Sequence, residues 1–157
     1  MRTKCDALEK IRSIADYQLG KGAGNVLFPD NVNIVFSKTT GRIRHIYLRR
    51  KLLATLRPTD GMFSLTIHGA KGLLRGANSP RLWVKVSNEA ASFIAKGRSV
   101  FAKHVTAADP EIRPQEEVIV LNEDNKIVAV GKAVLTGKEM TVFKRGVAVR
   151  VRKGIEE

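Results

Sequence analysis

The sequence predicts an α+β fold: an N-terminal antiparallel sheet covered by helices, followed by a small, mostly-β barrel. Three observations predict it. A helical spacing of apolar residues opens the chain, four short alternating runs joined by tight turns follow, and a second set of short runs begins after a Gly/Asn/Pro-marked boundary. With 157 residues, 43% hydrophobic and 27% charged, the chain has an ordinary globular composition and can bury enough apolar surface for one domain or two small ones.

The first helix rests on Ala7, Leu8, Ile11, Ile14 and Ala15, with Thr3 and Asp6 as a capping pair and an end near Gln18. Gly20, Gly22 and Gly24 interrupt the pattern before Val26, Leu27 and Phe28 resume it. Strands are expected at Val32–Phe36, Ile43–Leu48, Leu52–Leu56 and Phe63–Ile67. Turns fall at Thr40-Gly41, Arg50-Lys51 and Asp60-Gly61. Phe63, Leu65 and Ile67 then share a face, which the opening helix and a short helix at Ala70–Leu74 cover, leaving the other face free for a partner.

Gly76, Asn78 and Pro80 divide the chain into domains 1–78 and 79–157. In the second, Arg81–Val86 reads as a strand, and Asn88 caps a short helix ended by Gly97. Val100–Val105, Glu117–Leu121, Ile127–Leu135 and Val147–Val151 read as barrel strands, with a turn at Thr136–Met140. Met140 and Phe101 are expected in the core, because large apolar residues in short strands ordinarily fill it.

Charge narrows the function. Lys and Arg number 28 against 15 Asp and Glu, a formal net charge of +13, and the pI is about 10.3. Up to Asn78 there are 14 basic and 5 acidic residues, and beyond it 14 and 10, giving +9 and +4. A phosphate backbone suits such surfaces, because bound Lys and Arg release condensed counterions. Cys5 is alone, so no intramolecular disulfide can form, which fits a reducing cytoplasm. No apolar run approaches the ~18 residues of a membrane span, and the amino terminus leads into an amphipathic segment, not a secretory one. His45, His68 and His104 are scattered, and none stands at metal-ligand or triad spacing with Cys5. No catalytic residues, metal site or cofactor are therefore expected.

From Arg81 onward the order of features resembles a PUA domain. It is carried by the opening strand, the Asn88–Lys96 helix, Gly97-Arg98-Ser99-Val100-Phe101-Ala102-Lys103, Asp109-Pro110-Glu111-Ile112-Arg113-Pro114, Glu116–Val120, Ile127–Ala133 and Gly146–Arg152. The resemblance implies a pseudo-barrel that binds structured RNA beside its first helix and the following strand. Ile14–Gly24, Gly41-Arg42-Ile43-Arg44 and Leu56–Gly61 resemble the segment that precedes PUA in archaeal tRNA-guanine transglycosylase and the related archaeosine synthase. Those enzymes carry a catalytic domain ahead of this region. Its absence from these residues makes RNA binding, with tRNA as the partner, the transferable part. The expected role is a noncatalytic targeting subunit for a separate transglycosylase subunit. An enzyme of archaeosine formation and a ribosome-assembly factor stand as alternatives.

Expected RNA contacts are Lys96, Gly97, Arg98, Ser99 and Lys103 in the groove the resemblance implies, with Lys132 as a weaker neighbour. Arg150 and Arg152 alternate with valines and should project from the last strand together. Lys21, Arg42, Arg44, Arg49, Arg50 and Lys51, with Arg57, form either a second RNA surface or a solubilising edge that discourages sheet pairing. The Gly20-Lys21-Gly22-Ala23-Gly24 loop reads as a tight turn ending the helix or as a phosphate cradle, and it lacks the Walker sequence.

Overall fold

The computed structural model describes residues 3–76 and 81–157, so the boundary markers Asn78 and Pro80 lie outside the described residues. The chain divides into two compact units, Met1–Pro80 and Arg81–Glu157.

In the first unit, the Thr3 hydroxyl caps α1 (Lys4–Leu19) by accepting the Asp6 N–H at 3.1 Å. Ala7, Ile11, Ala15, Gln18 and Leu19 form its buried stripe. Gly20 ends it at φ 115°, and a short helix, α2 (Ala23–Leu27), follows. Five residues are too few for a helical period to register, so the sequence shows only the resumed apolar run. Arg12 ties α1 to the chain beyond α2. Its Nε and Nη2 donate to the Phe28 carbonyl at 2.9 and 2.7 Å, and Nη2 also pairs with Asp30.

Four antiparallel strands follow in sequence order: β1 (Asn33–Phe36), β2 (Ile43–Leu48), β3 (Lys51–Leu56) and β4 (Phe63–Leu65). Ile34, Ile46, Ala54 and Leu65 stand in register across the sheet, and Val35, His45, Thr55 and Ser64 form the adjacent row. The Ile46 row belongs to the core, while the His45 row is more open to solvent. Gln18, 9% exposed, links α1 to β4: its amide donates to the Phe63 carbonyl at 2.9 Å and accepts the Phe63 N–H at 2.7 Å. The Phe63 ring packs on Phe28 at 5.2 Å between centroids.

Two expectations shift here. The fourth strand stops at Leu65, because the Thr66 hydroxyl accepts the Gly69 N–H and opens α3 (Ile67–Gly76), so Ile67 joins the helix. The β2–β3 turn is Arg49-Arg50, at φ 51° and 68°, and Lys51 already pairs with Leu48.

The second unit contains β5 (Trp83–Val86), α4 (Asn88–Ile94), β6 (Val100–Phe101), a 3-10 turn at Ala102–His104, β7 (Val105–Ala108), β8 (Glu117–Leu121), β9 (Ile127–Ala133), α5 (Gly137–Val142) and β10 (Val147–Gly154). The sheet order is β6-β10-β9-β8-β5-β7, with β5 and β8 parallel and the other pairs antiparallel. The single strand expected at Val100–Val105 is thus two strands at opposite edges of the sheet. A three-residue connection can join the two edges only if the sheet curls, and the result is a nearly closed barrel.

β8 is buried along its whole length, and Val84, Val130, Val149 and Met140 fill the barrel with it. α5 replaces the turn expected at Thr136–Met140. Thr136 and Glu139 complete a reciprocal capping box, with bonds of 2.9 and 3.1 Å, and this stabilises so short a helix. β9 ends at Ala133, short of the expected Leu135, while β10 runs on to Gly154.

Candidate nucleic-acid interface

Ser87, not Asn88, caps α4: its hydroxyl accepts the Ala90 N–H, while Asn88 exchanges two hydrogen bonds with Glu123 in the β8–β9 loop. At the other end, the Lys96 and Arg98 N–H groups bond the Phe93 carbonyl, and the Gly97 N–H bonds that of Ile94. Gly97 stands at φ 101°, the left-handed conformation expected of a helix stop. Lys96 and Arg98 are exposed beside it, Ser99 is half-buried, and Lys103 is exposed on the 3-10 turn.

The chain after β10 returns to this turn. The Glu156 N–H bonds the Ala95 carbonyl at 2.8 Å, and the Glu157 carboxylate accepts the Gly154 N–H at 2.7 Å. A Cβ on Gly97 would lie 2.6 Å from that carboxylate. The backbone that the PUA resemblance offers to RNA therefore has an acidic side chain resting on it. Nothing in the local sequence signals this, because Gly97 and Glu157 are far apart in the chain.

Arg150 pairs in register with Lys132, and Lys132 with Glu117, so the three sit side by side on β10, β9 and β8. Arg150 is exposed and Lys132 half-buried. Arg152 lies on the same side of the sheet as Arg150, since it reaches Glu117 in the Arg150–Lys132 row, and its side chain is 36% exposed. The register of β10 shifts between Val151 and Lys153, and the guanidinium grips Glu117. Nη1 donates to Oε1 at 2.9 Å, and Nη2 closes a second contact to Oε2. Glu117 is 1% exposed, so Arg152 balances a buried carboxylate. Phe101, expected in the core with Met140, is 46% exposed, because Val100 takes the inward position of a two-residue edge strand.

In the first unit the basic residues line two recesses. Arg42 and Arg44 line a recess with Lys10 and Arg57. Arg49 and Lys51 line another at the β2–β3 turn, with Arg50 exposed at the same tip. Lys21 is exposed between α1 and α2. The Gly20–Gly24 loop is a turn held by its own hydrogen bonds. The Gly20 N–H bonds the Asp16 carbonyl, and the Asp16 carboxylate accepts the Gly24 N–H at 2.7 Å, a negative charge where a phosphate would have to sit. No group of three or more His, Cys, Asp or Glu side chains among the described residues could hold a metal ion, and His45 Nδ1 pairs with Thr55 Oγ1 at 3.2 Å.

Residues 9–80 match the patch-forming domain C2 of tRNA-guanine transglycosylase, and residues 82–155 match the PUA domain. The chain carries a C2 domain followed by a PUA domain. Transglycosylases acting at tRNA guanine 15 contain the same pair. The enzymes of Methanothermobacter thermautotrophicus, Thermoplasma volcanium and Pyrococcus furiosus are 44%, 50% and 43% identical to it over 98%, 96% and 99% of this chain. The matched region is 24%, 24% and 26% of those proteins, so the chain spans about a quarter of the length of these curated relatives.

Among solved structures, a hypothetical protein of Pyrococcus horikoshii superposes with a TM-score of 0.78 at 21% identity, covering 99% of this chain and 93% of that one. A conserved PUA domain protein of Thermoplasma acidophilum gives 0.69 at 20% identity, again over 99% and 93%. At these identities they establish the fold of the C2–PUA pair. No helix among the described residues is long and apolar enough to cross a membrane.

Proposed function

We propose that this C2–PUA chain is a noncatalytic RNA-binding module that recognises folded tRNA by shape and phosphate placement. The observation that carries the reading is the match of both domains, in order and over nearly the whole chain, to enzymes that modify tRNA. In the PUA domain, Lys96, Arg98, Lys103, Lys132 and Arg150 supply the positive charge, Ser99 a short-range hydrogen bond, and Gly97 the bend between them. Arg152 contributes indirectly by holding the barrel through Glu117. In the C2 domain, Arg42, Arg44, Arg49, Arg50 and Lys51 add further phosphate contacts, with Lys21 at the margin. The module serves as a targeting subunit for a separate transglycosylase subunit, which supplies the chemistry in cytoplasmic tRNA modification.

The test is a salt series of binding to folded tRNA, the same tRNA lacking its 3′ end, and a single strand of equal length. Four to six phosphate contacts give a slope of log affinity against log salt of about −3 to −5. Preference for intact tRNA supports recognition of structure, whereas equal affinity for all three reduces the module to a generic polycation. Guanine exchange into tRNA by this chain alone would overturn the noncatalytic reading.

A further inference from the structure

The recess at the β2–β3 turn gathers cations from two separate elements. It is a cavity of about 280 Å³ between α2, the β2–β3 hairpin and α3. Arg49 and Lys51 enter it from the hairpin, and Lys71 and Arg75 from α3, one helical turn apart on the same face. Leu27, Leu48 and Leu53 line it as well, and no Asp or Glu does.

Three features bear on what this cluster can hold. First, no salt bridge among the described residues engages any of the four cations, as is true of most of the described Lys and Arg, so the charges here are open to an anionic ligand. Second, Arg49 and Arg50 form a two-residue turn with both residues at positive φ, a conformation that strains side chains other than glycine and asparagine. Third, Gly72 sits in the middle of α3, where glycine weakens a helix relative to alanine. Packing does not require it: its φ is not positive, and an added Cβ would meet nothing within 4 Å. It lines the cavity, and any larger side chain there would project into open space. Gly69, one residue beyond His68, is different, since a Cβ there would strike the Leu53 carbonyl oxygen at 2.1 Å. That close approach holds α3 against β3 and brings Lys71 and Arg75 alongside the hairpin.

We propose that this cavity is a nucleotide pocket for RNA. One unpaired nucleotide enters it, its base against the leucine-lined wall and its flanking phosphates on Arg49, Lys51, Lys71 and Arg75, and Gly72 keeps the space open. The volume suits a single nucleotide, being at the small end of ligand pockets. The proposal rests on the RNA-binding reading and specifies what the C2 domain takes from that RNA.

The experiment titrates the full chain with two labelled hairpins, one carrying a single-nucleotide bulge and the other fully paired. The variants are Gly72→Ala, Gly72→Leu, Lys71→Ala/Arg75→Ala, and Arg98→Ala/Lys103→Ala in the PUA domain. Gly72→Ala raises the melting temperature. Gly72→Leu keeps the fold, weakens the bulged hairpin about fivefold and leaves the paired one within twofold. Lys71→Ala/Arg75→Ala weakens the bulged hairpin and lowers its salt slope by about 1.8. Wild-type binding of the bulged hairpin by folded Gly72→Leu, or equal losses on both hairpins, overturns the pocket. Continued loss with Arg98→Ala/Lys103→Ala in that case leaves the PUA reading standing. Failure of the wild-type chain to bind either hairpin or tRNA removes both. Saturation by 5′-AMP at micromolar concentration, without preference for the bulged hairpin, overturns RNA as the source of the nucleotide.

Discussion

Arg152→Ala takes a two-pronged partner from the buried Glu117 carboxylate. Glu117 is 1% exposed and receives hydrogen bonds from both terminal nitrogens of Arg152, whose own side chain is 36% exposed. Breaking such a pair from one side costs about 3–5 kcal/mol, because the remaining buried charge has lost a strong partner and regains little water. The exposed side of Arg152 lets some water reach the vacated space, so the lower end, about 3 kcal/mol, applies. For a domain the size of the second unit, about 1 kcal/mol moves the midpoint by about 4–8 °C, so its melting temperature should fall by about 12–24 °C. The assay is thermal unfolding followed by circular dichroism, with Arg150→Ala as the comparison. Arg150 is exposed, and its loss should move stability by no more than about 0.5 kcal/mol. The double change Glu117→Leu/Arg152→Met removes both charges and should recover most of the loss. If Arg152→Ala melts with the wild type, the ion pair carries no stability and Arg152 returns to the list of RNA contacts.

Glu157→Gln removes the negative charge resting over Gly97 and should raise affinity for folded tRNA about two- to fivefold at low salt, the gain shrinking as salt rises; a filter-binding series measures it. Arg98→Ala/Lys103→Ala should flatten the salt slope of tRNA binding by about 1.8 while leaving the melting curve in place. Gln18→Leu leaves the Phe63 N–H and carbonyl without their buried partners and should cost about 2–3 kcal/mol, read from chemical denaturation of the first unit. Asp16→Ala frees the Gly24 N–H and should cost about 1 kcal/mol without weakening tRNA binding; a loss of binding would show that the glycine loop is an RNA contact after all.

Periodicity and turn chemistry act between near neighbours, so the sequence by itself determined the opening helix with its Thr3 cap, the four-stranded sheet and its α+β character, the left-handed stop at Gly97, and the resemblance to the C2 and PUA domains. The same locality explains the misses nearby. α2 and α5 are too short for a period to show, and Thr66 ends β4 with a hydroxyl cap where hydrophobic alternation alone would continue the strand. What joins distant residues was decided only by the tertiary structure. The 3-10 turn at Ala102–His104 splits one apparent strand between the two edges of the barrel. Arg152 reaches Glu117, 35 residues away, while part of its side chain stays in solvent. The end of the chain places Glu157 over Gly97. Along the first-unit hairpins, Arg42 and Arg44 line one recess, and Arg49 and Lys51 join α3 in another. Charge is additive along a sequence, but its effect depends on which carboxylates lie within a few ångströms, and chain closure alone sets those distances.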